Sequence, residues 1–361
     1  MLPDDLQEKI LRLLPTVDLL RGRAVCKQWL SLASHLLLSR PPWILLCSKS
    51  CAKQVEYSLA YDLEACEWYK LPATNLPESC VLEGCVQGLL VARAGGRGLK
   101  DSFCIGDPWT GTWKQLQVGF TFTRIRGFFS SEKGGSLAII ASHWVRFSQV
   151  TKVLWQQSEK DKTLHTVACN LPSFMVERDA KLYSWMRPCG LMVYDVGKAE
   201  CALIHGTKDD QMEEDRRTKT LLKCGNRLVR VCVDEYDPNI FGNERYVRVE
   251  QLCEEGSLQE PIKWEEVGVI PTHLVDQLLD GWWMMGVESF AGGMNHVCFR
   301  AQRFFKILTF DLVHRTWNWL PDCPFLAKPF SKSQCRALKG CSLEVWPRLF
   351  PTIFQNLHSI S

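Results

Sequence analysis

The spacing of apolar residues divides the chain into two parts with different secondary-structure signals. From Leu2 to Leu38, apolar residues recur at the three- and four-residue intervals of a helix face. From Trp43 onward, apolar runs of about five to eight residues alternate with Gly, Pro, Asp and Asn, which is typical of short strands. The sequence therefore predicts a small helical unit followed by a much larger β domain.

The helical part is predicted to form three short helices, interrupted at Pro15 and near Gly22 and ended by the prolines at 41–42. The first helix carries an apolar stripe that consists of Leu6, Ile10, Leu13 and Leu14. A second stripe of the same period consists of Trp29, Leu32, Ala33 and Leu36. Domains of about 40 residues rarely fold alone, so this unit is expected to bind a partner.

The same stretch resembles a known family. The positions that closely resemble an F-box are Leu2, Pro3, Leu6, Ile10, Leu11, Leu14, Pro15, Leu19, Leu20, Arg21, Arg23, Val25, Cys26, Lys27 and Trp29. An F-box implies binding to a Skp-type adaptor, which links it to a cullin-RING ubiquitin ligase. The residues expected to contact the adaptor are Leu2, Pro3, Leu6, Ile10, Leu14, Leu20, Val25, Cys26 and Trp29, with their division between adaptor contact and the module's own core left open. The alternative is an ordinary helical hairpin packed on the next domain.

One position departs from the pattern of that family. Gly22 lies where F-box sequences often have a large apolar residue. A glycine inside a helix costs about 1 kcal/mol relative to alanine. The second helix is therefore expected to be loosened or to shift its packing.

A repeat runs through the β part of the chain. An aspartate is followed six residues later by a tryptophan in the pairs Asp62/Trp68, Asp107/Trp113 and Asp311/Trp317, and Asp195 keeps the spacing with Cys201 in the tryptophan's place. The aspartate suits a tight turn because its carboxylate can accept hydrogen bonds from nearby backbone amides. Each unit is therefore expected to contain a β-hairpin, with the tryptophan filling the wedge between neighbouring sheets.

The intervals between these aspartates indicate six units. Asp62 and Asp107 are 45 residues apart, and the longer intervals to Asp195 and Asp311 each leave room for one more unit, filled by strand-like segments. A period of about 40–50 residues with four strands per unit predicts a β-propeller. A seventh unit is possible, but 325–361 lacks another Asp-x5-Trp. The expected domains are 1–42 and 43–361.

Several details resemble the kelch-type propeller of plant-like F-box proteins. Gly-Gly pairs at 95–96, 134–135 and 292–293 lie around inner strands, and residues 84–93 resemble the inner-strand pair of that family's second unit. Residues 271–283 resemble the short helix before its last unit. The resemblance implies a mainly β fold, a kelch-type propeller of six four-stranded blades, behind a small all-α F-box of three helices.

The tail offers a way to close the ring. The first unit, 43–72, has only three plausible strands, whereas one further strand is predicted at 341–347. We expect this C-terminal strand to complete the first unit, because closure leaves no open sheet edge.

Composition excludes several classes of function. With 43 basic and 40 acidic residues, the charge is too balanced for nucleic acid or an anionic membrane as the main partner. No apolar run approaches the roughly 18 residues that span a bilayer, and the N-terminus does not resemble a signal peptide. The seventeen cysteines contain no CxxC pair, so we expect reduced thiols, neither metal nor cofactor, and a cytoplasmic or nuclear location.

The sequence motifs of catalysis that we considered do not occur. The glycine-rich segment 94–98 lacks the lysine and hydroxyl of a P-loop, and there is no G-x-S-x-G elbow. The charged segment 208–220 is expected to be a solvated loop, with an interaction loop as the alternative. Residues 282–285, Trp-Trp-Met-Met, are expected in the core, with an exposed binding patch as the alternative.

Together these features predict a non-catalytic substrate-recognition subunit of an SCF-type ubiquitin ligase. Its F-box would bind the adaptor and its propeller would bind a target protein, which the sequence does not identify. Two alternatives remain open: an F-box scaffold that acts outside a ligase, and a small-molecule-binding or enzymatic kelch propeller.

Overall fold

The structure is a computed structural model of the 361-residue chain. It describes residues 2–37, 40–48, 57–72, 76–77, 80–86, 89–94, 102–108, 111–117, 124–130, 137–145, 148–156, 162–167, 175–179, 181–186, 190–195, 198, 200–205, 217–234, 247–253, 263–279, 287–301, 306–325 and 338–343. The helices in this part of the chain are α1 Asp4–Arg12, α2 Thr16–Gly22, α3 Lys27–Leu37 and α4 Thr272–Leu279. None of them is long and apolar enough to cross a lipid bilayer.

The strands confirm the mainly β propeller fold. The first twelve are β1 Trp43–Ser48, β2 Tyr57–Asp62, β3 Glu67–Pro72, β4 Cys80–Val86, β5 Leu89–Ala94, β6 Ser102–Gly106, β7 Trp113–Gln117, β8 Arg124–Ser130, β9 Leu137–Val145, β10 Ser148–Gln156, β11 Lys162–Val167 and β12 Met175–Arg178. The others are β13 Lys181–Met186, β14 Gly190–Asp195, β15 Glu200–His205, β16 Arg217–Cys224, β17 Arg227–Asp234, β18 Val247–Leu252, β19 Trp264–Val269, β20 Val287–Gly292, β21 His296–Ala301, β22 Ile307–Asp311, β23 Thr316–Trp319 and β24 Leu338–Leu343.

The described strands form six four-stranded sheets, the number of units that the repeat spacing predicted. From the inside outwards the sheets are β24-β1-β2-β3, β4 to β7, β8 to β11, β12 to β15, β16 to β19 and β20 to β23. We number these sheets 1 to 6 in that order. The inner strands contact one another in sequence, from β24 through β4, β8, β12, β16 and β20 back to β24. The sheets therefore form a closed ring.

The C-terminal strand closes sheet 1. β24 runs antiparallel to β1, with Trp43 opposite Leu343 and Ser48 opposite Leu338. The sequence had placed this strand at 341–347, three residues too far along the chain at its start. In its actual position β24 is the inner strand of sheet 1, so β1 is paired on both edges.

The two sides of β1 face different cores. Ile44 and Leu46 pack with residues of sheet 6, including Phe290. Trp43 and Leu45 belong to a second cluster, shared by the three N-terminal helices and sheets 1 and 2. Because successive side chains point to opposite faces of a strand, this one apolar strand supplies both seams of sheet 1.

The aspartates of the repeat organise the outer hairpins as expected. The Oδ1 atom of Asp62 accepts hydrogen bonds from the amides of Glu64 and Ala65 at 2.9 and 3.2 Å. Asp311 does the same for Val313 and His314 at 2.7 and 3.1 Å. Asp195 accepts one from the amide of Lys198 at 3.0 Å. These bonds replace backbone partners within the tight turns.

A left-handed residue follows four positions after the aspartate in three of these turns. Cys66, Gly111 and Arg315 have φ angles of 55°, 69° and 56°. Glycine adopts this conformation readily, whereas a residue with a Cβ is disfavoured there. The recurrence shows that the turn geometry is shared even though the residue type is not.

Each described repeat tryptophan packs against the preceding sheet of the ring. The indole Nε1 of Trp68 in sheet 1 donates to the backbone oxygen of Pro321, which follows sheet 6, at 2.9 Å. Trp113 packs in the cluster of sheets 1 and 2, and Trp317 in that of sheets 5 and 6. Sequence reasoning missed Trp264, which fills the corresponding wedge between sheets 4 and 5. The side chain of Cys201 lies outside the described residues.

A buried ion pair lies in the seam between sheets 4 and 5. The guanidinium of Arg230 contacts the Glu250 carboxylate, with Nε to Oε2 at 2.6 Å. It also stacks on two indoles, 4.7 Å from the ring centroid of Trp185 and 4.4 Å from that of Trp264. The charge is therefore neutralised within the core, where an unpaired charge would be costly.

The described cysteines are thiols, and seven of them are buried. Cys80 and Cys104 bring their Sγ atoms to 3.7 Å across the small side chain of Ala92. Their strands are separated by β5, hence by about 9.5 Å, whereas a disulfide needs Cα atoms within about 7 Å. Burial raises the pKa of Cys104 to about 12, so this thiol stays protonated at neutral pH.

Two further segments need correction or limits. The last four residues of the charged segment 208–220 do not lie in a loop, because they begin β16 at Arg217. The expected helix at 271–283 is present as the shorter α4. The aromatic cluster at 282–285 and the remainder of the charged segment lie outside the described residues.

Removal of residues 338–361 should destabilise the whole ring, because β1 then becomes an unpaired edge. We expect the melting temperature, measured by circular dichroism, to fall by at least about 5 °C. The matched control removes only 344–361 and keeps β24. Equal melting of the two truncated chains would show that the β24–β1 pairing does not stabilise the ring.

Acidification should weaken sheet 6 through His296. Burial lowers the pKa of His296 below its ordinary value of 6.5, with Asp311 opposing and His314 reinforcing the shift. The unfolded chain therefore takes up this proton first, and stability is lost as the pH falls below 6.5. Melting temperatures at pH 7.5 and 5.5 should differ less in His296→Gln than in the wild type. An unchanged difference would contradict this role.

Candidate functional site

The residues at the two ends of α1 favour a helix at this place in the chain. Pro3 precedes α1 with φ −56° and ψ 149°. Asp4 and Asp5 lie in the first turn of α1, and Lys9 and Arg12 lie in the last. This arrangement complements the helix dipole. The orientation of α1 matters because Leu6 and Ile10, two of the exposed apolar residues described below, lie on this helix.

A buried glutamine that sequence reasoning missed joins α1 to α3. The Gln7 side chain is 5% exposed. Its Nε2 donates to the backbone oxygen of Leu2 at 2.7 Å, and its Oε1 accepts from Trp29 Nε1 at 2.8 Å. Gln28 also donates to Asp4. These bonds hold the chain before α1 and fix α1 against α3. A glutamine on an otherwise apolar helix face was the signal available in the sequence.

The structure separates the nine predicted contact residues into two groups. Those exposed to solvent are Leu2, Pro3, Leu6, Ile10, Val25 and Cys26. Those packed partly against the core shared with the propeller are Leu14, Leu20 and Trp29. These three side chains are half-buried, so they contribute to the packing of the domain while part of each remains exposed.

Six exposed apolar residues of the helical unit are candidates for a docking face, which we centre on the side of α1 that carries Leu6 and Ile10. Their exposed fractions are 55% for Leu2, 42% for Leu6, 43% for Ile10, 65% for Val25, 85% for Leu13 and 40% for Leu30. Leu13 and Leu30 were not among the predicted contact residues. Leu6, Ile10 and Leu13 follow one another at intervals of four and three, so they share one side of α1. So many large apolar residues on one small domain indicate a protein partner.

The chemistry of this face is that of binding. The six candidate side chains are apolar. The exposed thiol of Cys26, next to Val25, accepts a hydrogen bond from the Trp29 amide at 3.4 Å at the start of α3. Among the residues that the structure describes, no group of three His, Cys, Asp or Glu side chains is placed to hold a metal ion. The face can therefore bury apolar surface against a partner.

The comparison with protein families identifies this unit. Residues 1–42 match the F-box-like family model. They form an F-box-like domain. F-box domains generally bind Skp-type adaptors, and the exposed apolar face is the part of this F-box available for such a contact. The match covers the helical unit and leaves the propeller unassigned.

Other comparisons add little to this assignment. No curated protein sequence matches the chain. Solved structures with a similar outline include TolB from Acinetobacter baumannii, at 11% identity and a TM-score of 0.49, covering 84% of this chain and 66% of that one. Hydrazine synthase from Kuenenia stuttgartiensis shows 10% identity and a TM-score of 0.42, covering 71% of each chain. Likenesses at this level establish neither the fold nor a function.

The F-box is fixed to the propeller by a shared core. Its buried residues are Leu11, Leu19, Ala33, Leu36 and Leu37, and they lie in one cluster with Trp43, Leu45, Cys47, Ala60, Leu71, Leu82 and Leu90 of sheets 1 and 2. The Trp43 indole stacks on the Tyr69 ring at 4.9 Å between centroids. The F-box therefore depends on the propeller for part of its core.

Two arginines reinforce the same junction. Nη2 of Arg40 donates to the backbone oxygens of Arg12, the last residue of α1, and Leu14, just after it, at 3.1 and 2.9 Å. Its Nη1 contacts Glu64 in the β2–β3 turn at 3.1 Å. Burial lowers the pKa of Arg23, and the Asp107 carboxylate opposes this shift. Arg40 thus joins the F-box to the outer hairpin of sheet 1, and Arg23 interacts electrostatically with Asp107, between β6 and β7 of sheet 2.

Gly22 lies at the last position of α2 and is buried. A Cβ at this position would lie 3.4 Å from Cε3 of Trp29 and 3.9 Å from Cδ2 of Leu11, which is ordinary contact. The sequence predicted that Gly22 lies in the interior of the second helix. That prediction is wrong, because Gly22 is the last residue of α2. A side chain larger than alanine at this position would meet the Trp29 ring.

Substitution at Gly22 should therefore depend on size. Gly22→Ala should be neutral or stabilise the protein by about 0.5–1 kcal/mol, because alanine restricts the unfolded chain. Gly22→Leu should cost about 1–3 kcal/mol through overpacking against Trp29. Urea denaturation followed by tryptophan fluorescence measures both. A destabilising Gly22→Ala would show that the position needs glycine for its backbone.

Proposed function

We propose that this protein is a substrate-recognition subunit of an SCF-type ubiquitin ligase. In this proposal the F-box binds a Skp-type adaptor, the adaptor binds the cullin, and the propeller holds a target protein. The observation that carries the proposal is the exposed apolar face on α1, centred on Leu6 and Ile10. Apolar side chains in the centre of an interface supply most of its binding energy.

The propeller suits the role of target holder. A closed ring of sheets presents loops from several sheets side by side, and binding residues are concentrated on loops carried by rigid scaffolds. The shared core holds the F-box firmly to sheets 1 and 2, so a bound target is held at a defined place relative to the adaptor. The chain performs no bond chemistry in this proposal. It raises the effective concentration of target lysines near the ubiquitin thioester.

Two finer points belong to the same proposal. We assign the repeats to the kelch type, on the resemblance of the Gly-Gly pairs; one of them, Gly292–Gly293, lies at the end of β20 with Gly293 at φ 78°. We assign the protein to the cytoplasm, the nucleus or both. Thiols such as buried Cys298 suit a reducing compartment.

Charges placed on the docking face should abolish adaptor binding. Leu6→Asp with Ile10→Asp puts two carboxylates where apolar surface is buried, which should weaken affinity by at least about 100-fold. Co-purification with a Skp-type adaptor and a cullin, followed by calorimetric titration of the adaptor, measures the loss.

The matched control for this experiment is Met294→Asp with Val313→Asp. Both residues are large, apolar and 52% exposed, but they lie in turns of sheet 6. This variant should bind the adaptor as the wild type does. Adaptor binding retained by the Leu6/Ile10 variant would refute the assigned face, and adaptor binding without the cullin would favour a scaffold outside a ligase.

A further inference from the structure

We infer that the F-box becomes competent to bind its adaptor only after β24 has closed the ring. The inference rests on the adaptor binding proposed above and adds a condition to it. It follows from three contacts in series: the F-box core with β1, β1 with β24, and α1 with the β2–β3 turn.

The first contact makes β1 part of the F-box core. Leu36 and Leu37 at the end of α3 are 5% and 1% exposed. They share a cluster with Trp43 and Leu45 of β1, only six to nine residues further along the chain. A helical unit of this size cannot bury enough surface by itself. The F-box therefore needs β1 in its native position to complete its own packing.

The second contact makes β24 the main partner of β1. Six residues of β1, from Trp43 to Ser48, have partners in β24. Only three, from Ile44 to Leu46, have partners in β2. Without β24, β1 would be an edge strand held by the shorter of its two ladders. The position of Trp43, which lies outside the β2 ladder, depends most on β24.

The third contact passes this dependence on to the docking helix. Arg40 binds the carbonyls of Arg12 and Leu14 at one end and the Glu64 carboxylate at the other. Glu64 lies in the turn between β2 and β3, so Arg40 joins the end of α1 to a hairpin whose inner neighbour in sheet 1 is β1. Arg40 is thus a positioning residue for α1, which carries Leu6 and Ile10.

The test replaces two residues in the full-length chain, Gly340→Pro with Cys341→Pro. Consecutive amides of a strand point to opposite edges, so one of the two prolines removes a bond to β1. We expect adaptor affinity, measured with a purified Skp-type adaptor, to fall at least about tenfold. Amide hydrogen exchange of α1 to α3 should accelerate in the same variant.

The matched control is Lys219→Pro with Thr220→Pro, in the inner strand β16 of sheet 5. This variant damages an equivalent strand away from the F-box, and its adaptor affinity should stay within about threefold of the wild type. Undiminished binding by the β24 variant would overturn the inference. So would an equal loss in both variants, because the effect would then come from general damage to the ring.

A milder pair of variants tests the same coupling without disturbing a strand. Arg40→Ala should lower adaptor affinity several-fold and accelerate exchange in α1, whereas Arg315→Ala, which removes an exposed ion pair with Glu265 between sheets 5 and 6, should do neither. Equal behaviour of the two would overturn the role of Arg40. If the wild-type chain fails to bind the adaptor, the proposed function fails, while hydrogen exchange still reports whether closure orders the F-box.

Discussion

The alternation of side chains along β1 is the constraint on which the other contacts depend. Trp43, Leu45 and Cys47 face the F-box and sheet 2, whereas Ile44 and Leu46 face sheet 6. A shift of one residue in the pairing would exchange these two sets. The register with β24 therefore decides at once how the ring closes and where the helical domain sits.

The remaining seams are specified by shape and charge together. A tryptophan near the start of the outer strand packs against the preceding sheet of the ring, as Trp68 and Trp317 do. Between sheets 4 and 5 the indole of Trp264 also covers Arg230, whose charge is neutralised by Glu250. A lone charge left there would cost about 3–5 kcal/mol. Such a seam accepts few alternative neighbours, which favours a single order of sheets around the ring.

Features with local causes could be predicted from the sequence, and features with distant causes could not. The Asp62 and Asp311 turns were predictable because their hydrogen bonds form within three residues. Trp264 was missed because its strand does not follow an aspartate at the usual interval. The bounds of β24 were displaced because they are set by pairing with β1. Likewise, Leu14, Leu20 and Trp29 could not be assigned to the core from sequence, because part of the core that covers them belongs to the propeller.

The position of β24 also sets the order in which the protein can mature. β1 emerges from the ribosome early, yet its partner Leu343 follows Trp43 by roughly 300 residues, which at about 5–20 residues per second means a delay of about 15–60 s. During that interval the three helices have been synthesised, but β1, which completes their core, still lacks its pairing with β24. A chain cut short before Leu338 would keep the whole F-box sequence and lose the strand that supports it. The F-box therefore gains its full support only after the ribosome has synthesised the chain as far as Leu343.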